Sequence, residues 1–126
     1  MKHKTLNIKA THFDLNDEVR DYVESRIKYL DKFIDATEND QAIFNVEVGK
    51  TTTAQHTGEI FRAEMNLTVH GNSYRTEATR DHLFAAIDQA THELEHQLVH
   101  HKTKRNTLFK RGAKQIKKLL RLSDDN

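Results

Sequence analysis

The chain has 126 residues, a formal net charge of +1 and no cysteine, which excludes disulfide scaffolds, thiolate metal sites and thiol redox chemistry. Its length suits one domain, able to bury roughly two-thirds of its unfolded surface without metal or disulfide staples. No apolar run reaches signal-peptide or membrane-spanning length, so a cytoplasmic location with no membrane partner is expected. The charge is unevenly spread. Met1 to His101 carries 11 Lys+Arg against 17 Asp+Glu, a net of −6, whereas Lys102 to Asn126 carries nine against two, a net of +7. This predicts a folded domain over residues 1–105 and a basic C-terminal tail over 106–126, and a polyanion is the usual partner of such a tail.

The first predicted element is a strand, Thr5 to Ala10, with Leu6, Ile8 and Ala10 on one face. Asn16 reads as an N-cap, followed by Asp17 and Glu18 in the first turn, where the helix dipole favours anions. Val19, Val23, Ile27, Leu30 and Ile34 then recur at helical spacing, predicting an amphipathic helix that ends near Asp35. Thr37 to Gln41 reads as a polar loop. A second strand has Ala42, Phe44, Val46 and Val48 on one face, and Gly49 to Gly58 reads as a long hairpin loop. Phe61, Ala63, Met65, Leu67 and Val69 alternate along a third strand. His70-Gly71-Asn72 turns into a fourth, Ser73 to Ala78, with Tyr74, Thr76 and Ala78 on one face.

A second helix is predicted from near Asp81 to beyond His100. The order is β-α-β-β-β-α. Alternation in every strand leaves one sheet face wet, so both helices should cover the other. The expected fold class is α+β, a two-layer sandwich of a four-stranded sheet with two helices on one face.

Within the second helix, His92-Glu93-Leu94-Glu95-His96 matches HExxH, the zinc-hydrolase signature in which two histidines hold the metal and the glutamate activates water. At about 100° per residue, Leu83, Ile87, Ala90, Leu94, Leu98 and His101 share the sheet-facing stripe, while His92, His96 and His100 form a row on the opposite side. The third ligand is missing: Val99 and Lys102 stand where the extended motif needs glycine and histidine, and Glu95 is the last glutamate. With nine His and nine Glu in the chain, a chance HExxH arises roughly once in twenty such sequences. No metal, cofactor or catalytic residue is therefore expected, and the zinc hydrolase stays a remote alternative.

The stretch Glu77-Ala78-Thr79-Arg80-Asp81-His82-Leu83-Phe84-Ala85-Ala86-Ile87-Asp88 resembles the strand-to-helix junction of the ribosome hibernation factors, the hibernation promoting factors and ribosome-associated inhibitors. Glu93 to Leu98 is similar to the family's Leu-x-Arg-Gln-Leu, and His101-Lys102-Thr103-Lys104 to its His-Lys-x-Lys ending. Leu6-Asn7-Ile8 resembles the first strand, and Leu15 to Val23 the start of the first helix. The resemblance covers about residues 5 to 105 and is to the short form, without the further C-terminal domain of longer members.

The resemblance implies a non-catalytic factor that binds the small ribosomal subunit in the mRNA and tRNA channel, reversibly blocking translation while protecting idle ribosomes. Its partner would be ribosomal RNA with neighbouring ribosomal proteins, and the free chain is expected to be a monomer. The implied RNA-contacting residues begin with Arg20 and Arg26, where the family is also basic, joined by Lys28 and Lys32 on the outer face of the first helix. At the end of the second helix stand Lys102, Lys104 and Arg105; Arg75 and Arg80 are weaker candidates.

Departures from the family pattern also fall on this surface. His96 stands in place of an arginine, His92 and His100 replace residues often polar or basic, and Tyr29 stands where lysine is common. His96 and His100 remain candidates because phosphate favours protonated imidazole, which would tighten binding at mildly acidic pH. In the tail, Lys110, Arg111, Lys114, Lys117, Lys118 and Arg121 surround Leu108, Phe109, Ile116, Leu119, Leu120 and Leu122, fitting a disordered arm that folds along RNA. The strand and helix order is also close to a double-stranded RNA-binding module with one added strand, which is the alternative reading.

Overall fold

The computed structural model describes residues 3–34, 41–51 and 58–124. The elements are β1 (His3–Thr11), α1 (Asp17–Asp31), β2 (Gln41–Thr51), β3 (Ile60–Val69), β4 (Asn72–Arg80) and α2 (Leu83–Asp124). The strands lie in the order β1-β2-β3-β4, with β1 parallel to β2 and the other pairs antiparallel. Parallel neighbours cannot be joined by a tight turn, so α1 serves as the crossover between β1 and β2. β3 and β4 meet at His70-Gly71, where both residues have positive φ, 55° and 74°, the pattern of a two-residue hairpin turn that glycine makes easy.

The core forms because strand and helix periodicities deliver apolar side chains to one plane. Ile8, Val46, Met65 and Thr76 align across all four strands on the helix side of the sheet. Val23, Leu30, Phe44, Met65, Ile87 and Leu94 are fully buried between the layers. Thr76 is the buried polar member of this row, and its hydroxyl donates to the Ala90 carbonyl of α2 at 2.9 Å, so no polar cost remains. Among the described residues no helix is long and apolar enough to cross a membrane.

Some boundaries differ from expectation. α1 stops at Asp31 rather than near Asp35, because Phe33 and Ile34 donate to carbonyls three residues back and tighten the last turn, which turns Ile34 into the core. β2 runs on through Gly49 and Lys50 to Thr51, since β3 continues opposite it and pairs Lys50 with Phe61. Residues 35–40 and 52–57, which hold most of the two expected loops, lie outside the described residues. His101 is exposed rather than core-facing: it lies near the β3–β4 turn, at the end of the sheet, and its ring meets the Tyr74 ring edge-on at 5.9 Å. The basic tail is not a disordered arm along its described length, because α2 continues without a break to Asp124.

The open sheet face is polar and internally neutralised. The Glu64 carboxylate accepts from Asn66 at 3.0 Å, from Arg62 at 2.6 Å and meets Arg75 at 3.0 Å, while Arg62 also reaches Glu77 at 2.7 Å. The Asn66 amide, then the arginines, hold Glu64 below its ordinary 4.5, and Arg62 does the same for Glu77. A carboxyl whose folded pKa is depressed adds stability that is fully present above the unfolded value and lost as pH falls through the folded one. The expected result is a melting temperature that declines once pH drops below about 4.5, with a shallower decline in Glu64→Gln. Calorimetry across that range checks it; an identical decline in both proteins would remove the network as its source.

Candidate nucleic-acid interface

The helical layer presents a polar seam built from a second stripe on α1. Tyr22, Arg26, Tyr29 and Phe33 recur at three- and four-residue spacing beside the core stripe, so they face α2. Tyr22 stacks on Phe84 with centroids 4.2 Å apart, and its hydroxyl donates to Asp88 at 2.5 Å. Arg26 pairs with the same carboxylate at 2.8 Å and donates to the Tyr22 oxygen at 2.9 Å. Desolvation, then the Asp88 hydrogen bond, pushes the Tyr22 hydroxyl above its usual value, so it stays a donor. One turn on, Tyr29 donates to Glu95 at 2.8 Å, and this bond raises the Tyr29 pKa in turn. Lys32 folds its ammonium over the Tyr29 ring, 4.2 Å from the centroid.

A groove of about 510 Å³ runs along this seam, lined by Arg26, Tyr29, Arg80, Asp88, His92 and Glu95 among others. Its acids are engaged, Asp88 by Tyr22 and Arg26, and Glu95 by Tyr29 with the His92 ring 3.9 Å away. Replacing Asp88 with asparagine is expected to cost about 1 kcal/mol or less in urea unfolding, because Arg26 and Asp88 are about one-third and one-half exposed and solvent screens the pair. A loss of several kcal/mol would mean that the pair holds the helices together.

The residues singled out from the sequence do not form one cluster. Arg20 and Lys28 are exposed on α1, Arg20 on the flank away from α2. Arg26 is half-buried and already paired. Arg75 points from the opposite face of the sheet, held by Glu64 and Glu77. Arg80 closes β4 on the helix side and donates to the Thr79 carbonyl at 2.7 Å. Lys102 and Lys104 are exposed on α2, with no carboxylate partner among the described residues; Arg105 lies in α2, but its side chain is outside those described. The Tyr22–Arg26–Asp88 link escaped sequence reasoning, although the Tyr22, Arg26, Tyr29 row was there to be read as a second stripe.

The histidine row is exposed as expected, with the rings of His92 and His96 in contact at 4.4 Å between centroids. Within HELEH, Glu93 accepts from Gln89 and Glu95 from Tyr29, so the two glutamates look toward opposite sides of the row. Among the described residues no group of three or more His, Asp or Glu side chains converges as a metal site.

Beyond Leu98, the last buried residue among those described, α2 leaves the sheet and projects as an overhang. From Val99 to Asp124 it extends about 39 Å at 1.5 Å per residue. The chain's excess of positive charge rides on this projection, outside an acidic body.

Comparison with known proteins bears on what such an arrangement serves. A ribosome hibernation promoting factor of Azotobacter vinelandii is 32% identical over 99 residues, covering 79% of this chain and 83% of that protein. A ribosome hibernation promotion factor of Lactococcus lactis is 28% identical over 100 residues, which is 79% of this chain but 50% of that longer protein. The N-terminal domain of Thermus thermophilus Protein Y superposes with a TM-score of 0.60 at 26% identity, covering 75% of this chain and 94% of that one. A ribosomal subunit interface protein of Coxiella burnetii shares the fold, with a TM-score of 0.57 at 16% identity over 82% of this chain and 99% of that one. The model of the family described as sigma 54 modulation protein / S30EA ribosomal protein matches residues 6–106, from within β1 through the other three strands and α1 to the first 24 residues of α2. The chain belongs to the sigma 54 modulation protein / S30EA ribosomal protein family.

Proposed function

We propose that this protein is a ribosome hibernation factor that binds the small ribosomal subunit in the channel used by messenger and transfer RNA. It blocks translation by occupying that space and catalyses no reaction. The reading is carried by the cationic cluster that begins where α2 leaves the sheet, on a domain whose relatives are named for ribosome hibernation. Lys102 and Lys104 open this cluster without a carboxylate partner among the described residues, whereas acids of the body are engaged internally.

The contacts are phosphate contacts. A lysine or arginine that neutralises a phosphate releases a condensed counterion, which gives affinity without reading sequence. RNA shape then defines where a wedge of this size fits. Arg20, Lys28, Lys32, Arg80, Lys102, Lys104 and Arg105 supply charge to the helical side, and His96 and His100 add to it when protonated against phosphate. Arg26 contributes through the roughly one-third of its side chain that stays exposed beside Asp88. Arg75 contributes least, because Glu64 and Glu77 already balance it.

Co-sedimentation with small subunits, whole ribosomes and a free RNA duplex across a salt series tests the proposal. Expected is salt-sensitive binding to the small subunit that disappears when messenger and transfer RNA fill the channel and is absent on the duplex. Equal binding to the duplex would favour the double-stranded RNA-binding reading. Glu93→Gln is expected to leave ribosome binding unchanged.

A further inference from the structure

We infer that His92 and His96 form a binding site for one divalent transition-metal ion of the zinc type, held by two imidazoles on the outer face of α2. The inference is independent of ribosome binding. It requires no third protein ligand, so the site binds a metal without being the hydrolase centre that HExxH would need. This departs from the absence of metal that the sequence alone suggests.

Two side chains four residues apart on a helix are neighbours, with Cβ atoms about 5–6 Å apart. That spacing lets a nitrogen of each ring reach one ion at the usual Zn–N distance of about 2.0–2.1 Å. The rings of His92 and His96 already meet, with 4.4 Å between centroids. Both side chains are exposed, so closing on an ion disturbs no packing, and the remaining coordination positions face water.

A second observation orients one of the ligands. A metal-binding imidazole commonly turns its other nitrogen toward a carboxylate, which fixes the ring and its tautomer. Glu95 Oε2 lies 3.9 Å from His92 Nδ1, and the Tyr29 hydroxyl donates to the other Glu95 oxygen at 2.8 Å. This line of tyrosine, carboxylate and imidazole crosses the seam from α1 and leaves His92 Nε2 for the ion.

Charge favours this pair over the next one along the row. From Asp88 to His96, α2 carries three acids and no lysine or arginine. The arginines lining the adjoining groove are engaged, Arg26 by Asp88 and Arg80 by the Thr79 carbonyl. His100 also stands four residues beyond His96, but Lys104 follows it one turn later and disfavours a dication there. His92 and His100 are about 12 Å apart along the axis at 1.5 Å per residue, with His96 between them. No three such side chains converge among the described residues, and both pairs need His96, so the row takes one ion. Nitrogen ligands suit zinc, nickel and copper, whereas magnesium and calcium take oxygen.

Calorimetric titration of the full chain with zinc chloride alone, from about 1 to about 1,000 µM and without chelating buffer, tests the site. The expected result is saturable binding that His96→Gln weakens at least about tenfold, because the ligand common to both pairs is gone. His92→Gln leaves only the poorer pair and should weaken binding more than His100→Gln does. Tyr29→Phe keeps both imidazoles and should still weaken binding, since the carboxylate loses its anchor. Circular dichroism of the histidine variants should match the parent, as these side chains are exposed. Magnesium in about hundredfold excess should not displace the zinc. No saturation by about 1 mM zinc, or displacement by magnesium, would overturn the inference. Equal affinity in His96→Gln would also overturn it, by placing the ions on the chain's other histidines. A larger loss in His100→Gln than in His92→Gln would overturn the assignment to this pair, and unchanged affinity in Tyr29→Phe the orienting role of Glu95.

Discussion

Replacing Lys102, Lys104, Lys110 and Arg111 together with alanine is expected to lower affinity for the small ribosomal subunit on the order of 10²-fold at about 0.15 M salt. These cations are exposed on α2, with no carboxylate partner among the described residues, so they are free to meet phosphate. Each phosphate neutralised adds roughly 0.7 to 0.9 to the slope of log affinity against log salt, so the slope should flatten by about 3. Alanine favours helix, which keeps the overhang intact and makes the change one of charge. Binding titrations at several salt concentrations give both numbers. Weaker affinity with an unchanged slope would mean that these residues act through shape rather than phosphate neutralisation. Arg75→Ala is the matched comparison, with a small effect expected because its charge is balanced on the opposite face.

Phe44→Ala is expected to destabilise the domain by about 3–5 kcal/mol, a large share of the 5–15 kcal/mol available to a protein of this size. Phe44 is fully buried in β2, with Leu6 and Leu67 beside it across the two neighbouring strands. The neighbours belong to rigid strands and cannot collapse into the space, so both the transfer energy and the cavity count against folding. Urea unfolding should show an earlier midpoint at a similar slope. Phe109→Ala removes the same side chain from a site that is 77% exposed, and under dilute conditions it should leave the midpoint within about 0.5 kcal/mol of the parent. Similar losses at the two sites would contradict the burial pattern.

Much of the fold was legible because it rests on local rules. Alternation at Phe44, Val46 and Val48 can bury only one sheet face, and Asn16 could be read as a cap because its side chain reaches the Val19 amide, here at 2.9 Å. Family motifs such as Leu83 to Asp88 pointed to the same domain. The details that sequence reading mistook depend on neighbours. Gly49 and Lys50 looked like loop, yet β3 opposite them extends the ladder. His101 sits on the core stripe by angle, yet it lies at the end of the sheet near the β3–β4 turn and is exposed.

The candidate interface divides the same way. That the C-terminal segment is basic, and that His92, His96 and His100 share a face, follows from composition and the 3.6-residue turn, and no tertiary contact was needed to know it. Which cations are free is a different kind of fact. Arg26 is engaged by Asp88, 62 residues away, and Arg75 by Glu64 across the β3–β4 pair, pairings that no local pattern announces. Likewise an apolar stripe at helical spacing can be read along α2, but only the packed sheet decides that it is core up to Leu98 and bare surface at Phe109 and Ile116. Periodicity is a property of one segment's backbone, whereas burial and charge neutralisation depend on what another segment brings across the intervening space.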